Sequence, residues 1–553
     1  MFLLNLVKTN KTLYSCLFII IILCGVYFSY QYLPQTYFAS DEWYHYFLIL
    51  KYGPFNQVFS VGLVGMLTGA TRTLGFLSDD LFMYLFGLNI KPFLITFLVF
   101  HLINIFLLYK ILIKFKLSPF SAFLSSFYFA IASAGQQALS WPAAGMQVLG
   151  STLFILMTIL LTINFKNSKK NVFLILAILC SYISFLWKPT GIVTPLLIIS
   201  LIILFYKEIH SKQFLKIITI LGIGTISLGL YRLLIEYSNK MSYLVKAVFD
   251  VIFFPIVSIS HIFIPYRLMN RLCDWFINFY YPPISKGSNF EVVSHYIVSD
   301  YISIIISLFI LFFIYILYKR INKYDKKILL FGLIVFFIQY IPLSFFYIDR
   351  RTSYIDSRYM YSSVIGISVI LGVLFNFILT RFKNIGGLKR YLYFGLLLLI
   401  GFWLYKEMLV TRREVLQEAL DDIVIKKTWD SLKSLKLPNS NKLVIFLKSD
   451  RSYWYTGNLL PLKQSAAYML SLAFYGKPFI DKSVLGELNY NNTFINSNNK
   501  QFGYFTDINL LIPLVKRGEI NISDIVGLHF IDKTDSFEII TDEIHKLIEN
   551  NLR

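Results

Sequence analysis

Two adjacent carboxylates follow a long uncharged segment near the start of the chain. No charged residue occurs between Leu13 and Tyr32, and the stretch FASDEWYHYF then brings Asp41 and Glu42, with His45 one helical turn beyond Asp41. A carboxylate beside a hydroxyl can take its proton, so this pair suggests general base catalysis. The alternative is structural, because Ser-Asp-Glu before an amphipathic run is a good helix start. A cap uses only one such side chain, which leaves Glu42 and His45 unexplained.

Arginines gather in a later loop with the sequence IDRRTSYIDSRY. This loop carries Arg350, Arg351 and Arg358. A guanidinium binds phosphate through two parallel hydrogen bonds, so three of them suit an anionic phosphate group. Asp349 and Asp356 in the same loop could instead pair with two of the arginines, which is the structural alternative.

Two further cations stand apart from other charges. Lys188 is a lone lysine between two apolar blocks, and Arg72 lies in the segment after the first apolar block. Lys188 could extend its ammonium group to a membrane surface without any function, because lysine stems are apolar and their heads are not.

A polar pair lies inside an apolar block. His101 and Asn104 are three residues apart, so they share one face of a helix. Inside a membrane, such residues either make hydrogen bonds between helices or support a functional site, and the sequence leaves both interpretations open.

The composition is that of a polytopic membrane protein. Of 553 residues, 56% are hydrophobic and only 15% are charged, against about a quarter charged in ordinary soluble chains. The formal net charge is +21, and many lysines and arginines fall in short connectors between apolar blocks. This placement indicates membrane topology and contact with anionic lipids rather than nucleic acid. The four cysteines show neither disulfide nor metal-site spacing.

Eleven apolar blocks are long enough to predict transmembrane helices. The predicted spans are residues 13–32, 91–113, 119–136, 143–165, 171–187, 190–206, 213–233, 299–318, 328–347, 359–380 and 391–407. The basic connectors that alternate along the chain are KFK (114–116), KNSKK (166–170), KEIHSK (207–212), YKRINKYDKK (318–327) and RFKNIGGLKR (381–390). Because cytoplasmic loops are enriched in basic residues, the N-terminus is predicted to be cytoplasmic and the C-terminus external. The arginine loop before the tenth span is the one short loop that breaks this pattern.

Two domains are expected. Residues 1–407 form the membrane domain, whose external loops are 33–90 and 234–298, the first built of short interfacial helices. Residues 408–553 form a small external α/β domain. In this tail, KLVIFL (442–447) and IVGLHFI (525–531) are typical of strands, and DEIHKLIENNL (542–552) is typical of a helix.

The order of these motifs resembles the GT-C membrane glycosyltransferases, in particular the protein O-mannosyltransferases and the aminoarabinose transferase. The motifs are the loop acid, an R-x-L at Arg72, FGLN (86–89) running into H-x-x-N (101–104), SFLWKPTGIVTPLLI (184–198) and DSRYMYSSVIGISVILG (356–372). The resemblance covers residues 13–407 and not the tail. The family usually has proline after the loop arginine, whereas this chain has Thr73 after Arg72. The family often has glutamate before the arginine of the late segment, whereas this chain has Asp356 and Ser357 before Arg358.

The resemblance implies an all-α, GT-C-like membrane enzyme of the plasma membrane. Such an enzyme moves a hexose or pentose, with inversion, from a polyprenyl-phosphate carrier to a hydroxyl of a glycolipid, glycan or protein on the external face. The residues that it implicates are Asp41 as the base with Glu42 as second choice, Lys188, Arg358, Arg350, Arg351 and Arg72 for the donor phosphate, and His45, His101 and Asn104 for the acceptor or in support. The leaving group is an anionic phosphate, so no general acid is needed, unlike glycoside hydrolysis.

The expected partners are a polyprenyl-phosphate-linked sugar donor, the acceptor and membrane lipids, with no nucleic acid. No cofactor is indicated and no metal site is predicted, although a divalent cation held by Asp41 and Glu42 stays open because some relatives in the wider fold use one. Two other classes compete with the enzyme. One is a lipid or sugar transporter, which often shows repeated halves, and no repeat is visible here. The other is a non-catalytic membrane scaffold.

Overall fold

The structure is a computed structural model. It describes residues 11–39, 41–68, 72–206, 212–237, 241–264, 269, 271–276, 289–346, 357–383, 389–435, 442–450, 469–470, 472–473, 493–497 and 500–552.

The chain forms two compact units. The first comprises Met1–Gln31, Val61–Phe76 and Leu94–Val415, and the second comprises Tyr32–Ser60, Leu77–Phe93 and Leu416–Arg553. The longer helices are, in chain order, α1 Lys11–Tyr30, α2 Asp41–Tyr52, α3 Thr73–Phe86, α4 Lys91–Lys114, α5 Pro119–Ile131, α6 Pro142–Ser168, α7 Asn171–Trp187, α8 Thr194–Phe205, α9 Lys212–Tyr237, α10 Met241–Phe263, α11 Asn289–Arg320, α12 Lys323–Ile338, α13 Ser357–Lys383, α14 Lys389–Ser434 and α15 Thr541–Leu552.

Each of the eleven predicted spans contains an apolar helix. Seven helices of the described residues are long and apolar enough to cross a membrane, and they are Cys16–Gln35, Lys91–Lys114, Pro142–Ser168, Val298–Arg320, Lys323–Ser344, Arg358–Arg381 and Phe394–Ser434. The other four predicted spans coincide with shorter apolar helices, which are Pro119–Ile131, Asn171–Trp187, Pro189–Phe205 and Thr219–Leu230. The chain is therefore a mainly helical membrane protein, as predicted.

The segment predicted as the second external loop, 234–298, is largely helical. Helix α10 covers Met241–Phe263, and α11 begins at Asn289. Asp250, Pro255 and His261 interrupt the apolar run of α10, so its sequence falls short of the signal expected for a span. The backbone nevertheless stays helical, and the N–H of Ser260 donates to Oγ of Ser307 on α11 at 3.1 Å.

The first predicted external loop is built of short helices, as expected. They are α2, α3 and the shorter turns Asn56–Phe59 and Gly62–Leu67. Their position at a membrane interface stays a prediction.

A five-stranded sheet lies in the second unit. Its strands are β1 Lys442–Ser449, β2 Thr493–Ser497, β3 Lys500–Phe505, β4 Ile525–Ile531 and β5 Ser536–Ile539, in the order β2-β3-β1-β4-β5. The central strand β1 runs parallel to β3 and β4, and the two edge strands are antiparallel to their neighbours. Helix α15 buries Ile544 and Ile548 against Val444 and Ile525 of the sheet. The predicted α/β tail is confirmed, including strands β1 and β4 and the last helix.

Helix α14 passes through the predicted domain boundary at residue 407. It runs for 46 residues, from Lys389 to Ser434. The sequence after Gly401 contains neither glycine nor proline up to residue 434, so nothing in it ends the helix. The two compact units divide at residues 415 and 416, and the division into residues 1–407 and 408–553 stays a prediction.

A histidine in the sheet lies between two carboxylates. In His529, Nδ1 is 2.6 Å from Oε1 of Glu538 and Nε2 is 2.8 Å from Oδ1 of Asp450. Hydrogen bonding to Glu538, and then to Asp450, raises the pKa of His529 above its ordinary value. A doubly protonated imidazole donates to both acids, so the charged form is the one that this arrangement stabilises.

We expect His529→Gln to weaken strands β4 and β5 at about pH 6 and to have little effect at about pH 9. A histidine with a raised pKa contributes its full stabilisation below the unfolded pKa of about 6.5, and that stabilisation disappears as the pH rises through the folded pKa. The effect should be small because the carboxylates are half exposed. Hydrogen exchange of β4 and β5 in the full-length protein measures it. His545→Gln is the control, since Nε2 of His545 makes its hydrogen bond to the carbonyl oxygen of Ile525 and not to a carboxylate. If His529→Gln lowered the hydrogen-exchange protection of β4 and β5 equally at both pH values, the charged form of His529 would not be the source of the stabilisation.

Candidate functional site

Three of the predicted phosphate-binding cations come together in the first unit. The ring of Tyr359 lies 4.9 Å from Nζ of Lys188 and 4.9 Å from Cζ of Arg358, measured to the ring centroid. The charges of Arg72 and Arg358 both act on Lys188. Residues that are far apart in the sequence thus form one cationic cluster, which consists of Arg72, Lys188 and Arg358.

Lys188 is held at a one-residue break between helices. Helix α7 ends at Trp187, a 3-10 turn begins at Pro189, and Lys188 between them is extended, with φ −153° and ψ 134°. Its N–H donates to the carbonyl oxygen of Ser184 at 3.1 Å, and its own carbonyl oxygen accepts from the N–H of Gly191 at 2.8 Å. A Cβ at Gly191 would lie 2.5 Å from the Ser184 backbone, so only glycine permits this close turn.

The surroundings of Lys188 favour an anion. The residue is only 5% exposed. Burial lowers the pKa of Lys188 well below its ordinary value, and the charges of Arg72 and Arg358 lower it further. Within the described ranges, no carboxylate forms an ion pair with it. A buried ammonium group beside two guanidiniums is costly, and a bound anion would offset that cost.

The guanidinium of Arg358 lies over an aromatic ring. Arg358 lies in the first turn of α13, and its Cζ is 3.8 Å from the ring centroid of Trp141, the residue that precedes α6. A guanidinium stacked on an aromatic face keeps its N–H groups in the plane parallel to that ring, which suits contact with phosphate oxygens.

Arg72 is positioned by a strained backbone and an amide. Its φ of 49° lies in the left-handed region, which is unfavourable for residues other than glycine. Nη1 of Arg72 donates to Oε1 of Gln147 at 2.9 Å, and Nε2 of Gln147 donates to the carbonyl oxygen of Ala143 at 3.1 Å. A strained backbone conformation of this kind persists only where surrounding contacts hold the residue in place, and such residues are common at functional sites.

His101 and Asn104 connect four helices of the first unit. Nε2 of His101 lies 3.0 Å from the carbonyl oxygen of Ala130 and must donate to it, so Nδ1 accepts from the hydroxyl of Tyr361 at 2.7 Å. Nδ2 of Asn104 donates to the carbonyl oxygen of Leu149 at 3.3 Å. Both polar residues are fully buried. Their contacts are hydrogen bonds between helices, and a supporting role toward substrate stays a prediction.

The acidic pair lies at the start of α2, in the second unit, and its two members differ in exposure. Asp41 is exposed, whereas Glu42 is fully buried. Neighbouring residues of a helix point in directions about 100° apart, so one faces outward while the other faces the interior. His45 is half-buried and edge-on to the ring of Tyr44, at 5.9 Å between centroids.

The start of α2 is anchored by aromatic packing. Trp43 is fully buried, and its Nε1 donates to the carbonyl oxygen of Phe38 at 3.1 Å. Its ring lies 4.8 Å from that of Trp429 on α14. The N–H of Tyr37 donates to Oδ2 of Asp422 at 3.0 Å. These contacts fix the position of Asp41 on the surface of its unit.

Two predicted residues, Arg350 and Arg351, lie outside the described residues, as do Asp349 and Asp356. The structure adds three residues that the sequence did not single out: Trp141, Gln147 and Tyr359. Trp141 belongs to SWPAAG (140–145), the short connector between two predicted spans. The signal for Tyr359 was its place beside Arg358, in the late segment that resembles the GT-C family.

Side chains that could bind a metal ion are not grouped in the described residues. In the described part of the chain, no three His, Cys, Asp or Glu side chains are grouped so as to hold an ion.

Neither a protein-family model nor a curated protein matches this chain. Among solved structures, it is similar to the crystal structure of ArnT from Cupriavidus metallidurans bound to undecaprenyl phosphate, with 10% identity and a TM-score of 0.38, over 94% of this chain and 93% of that one.

Proposed function

We propose that this protein is an integral membrane glycosyltransferase that moves a sugar from a polyprenyl-phosphate carrier to an acceptor hydroxyl. The observation that carries the proposal is the cationic cluster of Arg72, Lys188 and Arg358 at the ends of apolar helices. Fixed cations at a membrane surface suit a lipid-linked phosphate, because they pair with its charge where the polyprenyl chain can remain in the bilayer.

The cluster stabilises the leaving group. When the bond between the anomeric carbon and the phosphate oxygen breaks, the phosphate keeps the electron pair and gains negative charge. Preorganised positive groups lower the energy of that transition state without having to reorganise. No general acid is needed, because phosphate leaves as an anion, in contrast to the alkoxide leaving group of glycoside hydrolysis.

Asp41 is the proposed base. Its carboxylate takes the proton of the acceptor hydroxyl as the oxygen attacks the anomeric carbon from the face opposite the phosphate, so the configuration inverts. Exposure of Asp41 supports this assignment over the buried Glu42, because an acceptor must reach the base. Glu42 stays the second candidate. The acceptor is a glycolipid, glycan or protein on the external face of the plasma membrane, and the sugar is a hexose or pentose.

Arg358 provides the test that separates phosphate binding from a purely structural ion pair. Arg358→Ala should weaken binding of polyprenyl phosphate by about ten- to a hundredfold, since a charge-assisted hydrogen bond contributes roughly 1.5–3 kcal/mol. Arg358→Lys should recover only part of the affinity, because an ammonium group lacks the planar, two-pronged geometry. Titration of the purified full-length variants with a polyprenyl-phosphate analogue measures this.

Arg320→Ala is the matched control, since it removes an exposed arginine at the far end of a different apolar helix and should leave affinity unchanged. If Arg358 serves only to pair with Asp349 or Asp356, the alanine variant should lose thermal stability while its affinity stays at the wild-type value. That outcome would contradict the proposal. A transporter would bind the lipid as well but would not release free polyprenyl phosphate from a sugar-loaded carrier.

A further inference from the structure

A second cationic pocket lies at the opposite helix ends of the first unit. Its volume is about 200 Å³, and its lining comes from the end of α4, the end of α6, the end of α8 and the start of α12. Trp141, which stacks on Arg358, precedes α6, whereas Lys166 of the pocket lies in the last turn of that helix. Lys166 comes 24 residues after Pro142, so the two are roughly 36 Å apart along the helix at 1.5 Å per residue, which exceeds the hydrocarbon core of a bilayer.

Three lysines line this pocket. They are Lys114, Lys116 and Lys166, and the lining contains no aspartate or glutamate. Within the described ranges, none of the three lysines forms an ion pair. The pocket therefore concentrates positive charge on one small volume.

Aromatic rings contact two of the three lysines. Nζ of Lys166 is 4.9 Å from the ring centroid of Phe205 and 5.8 Å from that of Tyr324, and Nζ of Lys116 is 6.0 Å from Tyr324. The ring of Tyr324 thus contacts both ammonium groups. The polar side chains of Thr162 and Asn167 also line the pocket. Cation–π contacts restrict the lysine heads that would otherwise spread into solvent.

The backbone of Lys116 is unusual in the same way as that of Arg72. Its φ is 60°, in the left-handed region, two residues after the end of α4. The N–H groups of Lys116 and Leu117 donate to the carbonyl oxygens of Ile113 and Leu112, at 2.9 and 3.2 Å. This is a helix C-terminal turn, where glycine or asparagine is the ordinary residue. Lys116 places an ammonium group at the pocket, although its left-handed backbone conformation is unfavourable for lysine.

We propose that this pocket binds the phosphate headgroup of an anionic membrane lipid, in the leaflet on the side of the basic connectors, which is the predicted cytoplasmic side. The ends of α4, α6 and α8 and the start of α12 adjoin four of those connectors, so the pocket lies where headgroups of that leaflet are found. Three ammonium groups and the side-chain amide of Asn167 offer donors to the oxygens of a phosphate. The apolar helices below the pocket leave the acyl chains in the bilayer.

The test uses the purified full-length protein in detergent, titrated with short-chain phosphatidylglycerol. Short-chain phosphatidylcholine and inorganic phosphate are titrated in parallel. The variant that replaces Lys114, Lys116 and Lys166 by glutamine should bind phosphatidylglycerol at least about tenfold more weakly than the wild type, since it loses three charge-assisted contacts. Replacing Lys319, Lys323 and Lys326 by glutamine is the matched control, because these lysines lie in a neighbouring connector but do not line the pocket.

The proposal requires tight phosphatidylglycerol binding by the wild type and the control, and weak binding of phosphatidylcholine. Equal weakening by both triple variants would mean a diffuse basic surface and would overturn it. Inorganic phosphate binding as tightly as phosphatidylglycerol would assign the pocket to a soluble phosphate compound instead. If the triple variant does not fold, the single variant Lys114→Gln is used instead. Lys114 is exposed, so this variant should fold. An unchanged affinity for phosphatidylglycerol in Lys114→Gln would also contradict the proposal.

Discussion

Replacing Asp41 by asparagine is expected to lower the rate of sugar transfer by about a hundred- to ten-thousandfold, which is the usual contribution of a positioned general base. Asparagine has the size of aspartate and can still accept a hydrogen bond, but it cannot take the proton of the acceptor hydroxyl. Asp41 is exposed in the first turn of α2, so the variant should fold normally. Binding of the donor should stay near the wild-type value, because the cationic cluster is unchanged.

The initial rate of transfer and the donor affinity are measured on the same preparations. Asp542→Asn is the control, since Asp542 is likewise an exposed aspartate in the first turn of a helix of the second unit. Wild-type turnover by Asp41→Asn would remove the proposed base. If Glu42→Gln then abolished transfer without unfolding the protein, the base would be the neighbouring carboxylate.

Replacing Lys188 by methionine should weaken donor binding by about ten- to a hundredfold and slow transfer with it. Methionine fills much of the space of the lysine stem but carries no charge. Thermal stability should be unchanged or higher, because the variant removes a buried ammonium group that two guanidiniums repel. A wild-type donor affinity in Lys188→Met would exclude this residue from the phosphate site.

The pH dependence of donor binding tests Lys188 independently of truncation. Burial and the charges of Arg72 and Arg358 lower the pKa of Lys188 in the free protein. A bound phosphate favours the protonated form, so affinity should be highest at low pH and should fall as the pH rises through this lowered pKa. A phosphodiester donor keeps its single charge throughout. Lys188→Arg should bind with little pH dependence, since arginine stays protonated. A pH profile that is identical in the wild type and Lys188→Arg would contradict this account.

The membrane spans were predictable because runs of about twenty apolar residues rarely occur outside membrane-spanning helices. Helix α10 was not predicted, since Asp250 and Pro255 break its apolar run while its backbone remains helical. Strands β2 and β3 were missed as well, because TFINS and KQFGYF are short and mix polar with apolar residues. Their place in the sheet depends on pairing with β1, which is a tertiary contact.

The site was predictable only in part. Sequence could not distinguish Asp41 from Glu42, because their exposure is decided by how Trp43 packs on Trp429. Aromatic partners such as Trp141 and Tyr359 gave little signal in a chain with 53 phenylalanines and 38 tyrosines. Arg358 and Lys188 were singled out by their places in the predicted topology as well as by resemblance, and Arg72 by resemblance. The cluster that these three residues form in the first unit adds geometry to that expectation.

The most direct measurement of the central claim is a lipid analysis of cells from which the gene for this protein has been deleted. A transferase that consumes a polyprenyl-phosphate-linked sugar leaves that donor unused when it is absent. The account therefore predicts that such a lipid accumulates in the deletion strain, that the wild-type gene removes it, and that the Asp41→Asn gene does not. An unchanged content of polyprenyl-phosphate sugars, or equal correction by the Asp41→Asn gene, would contradict it.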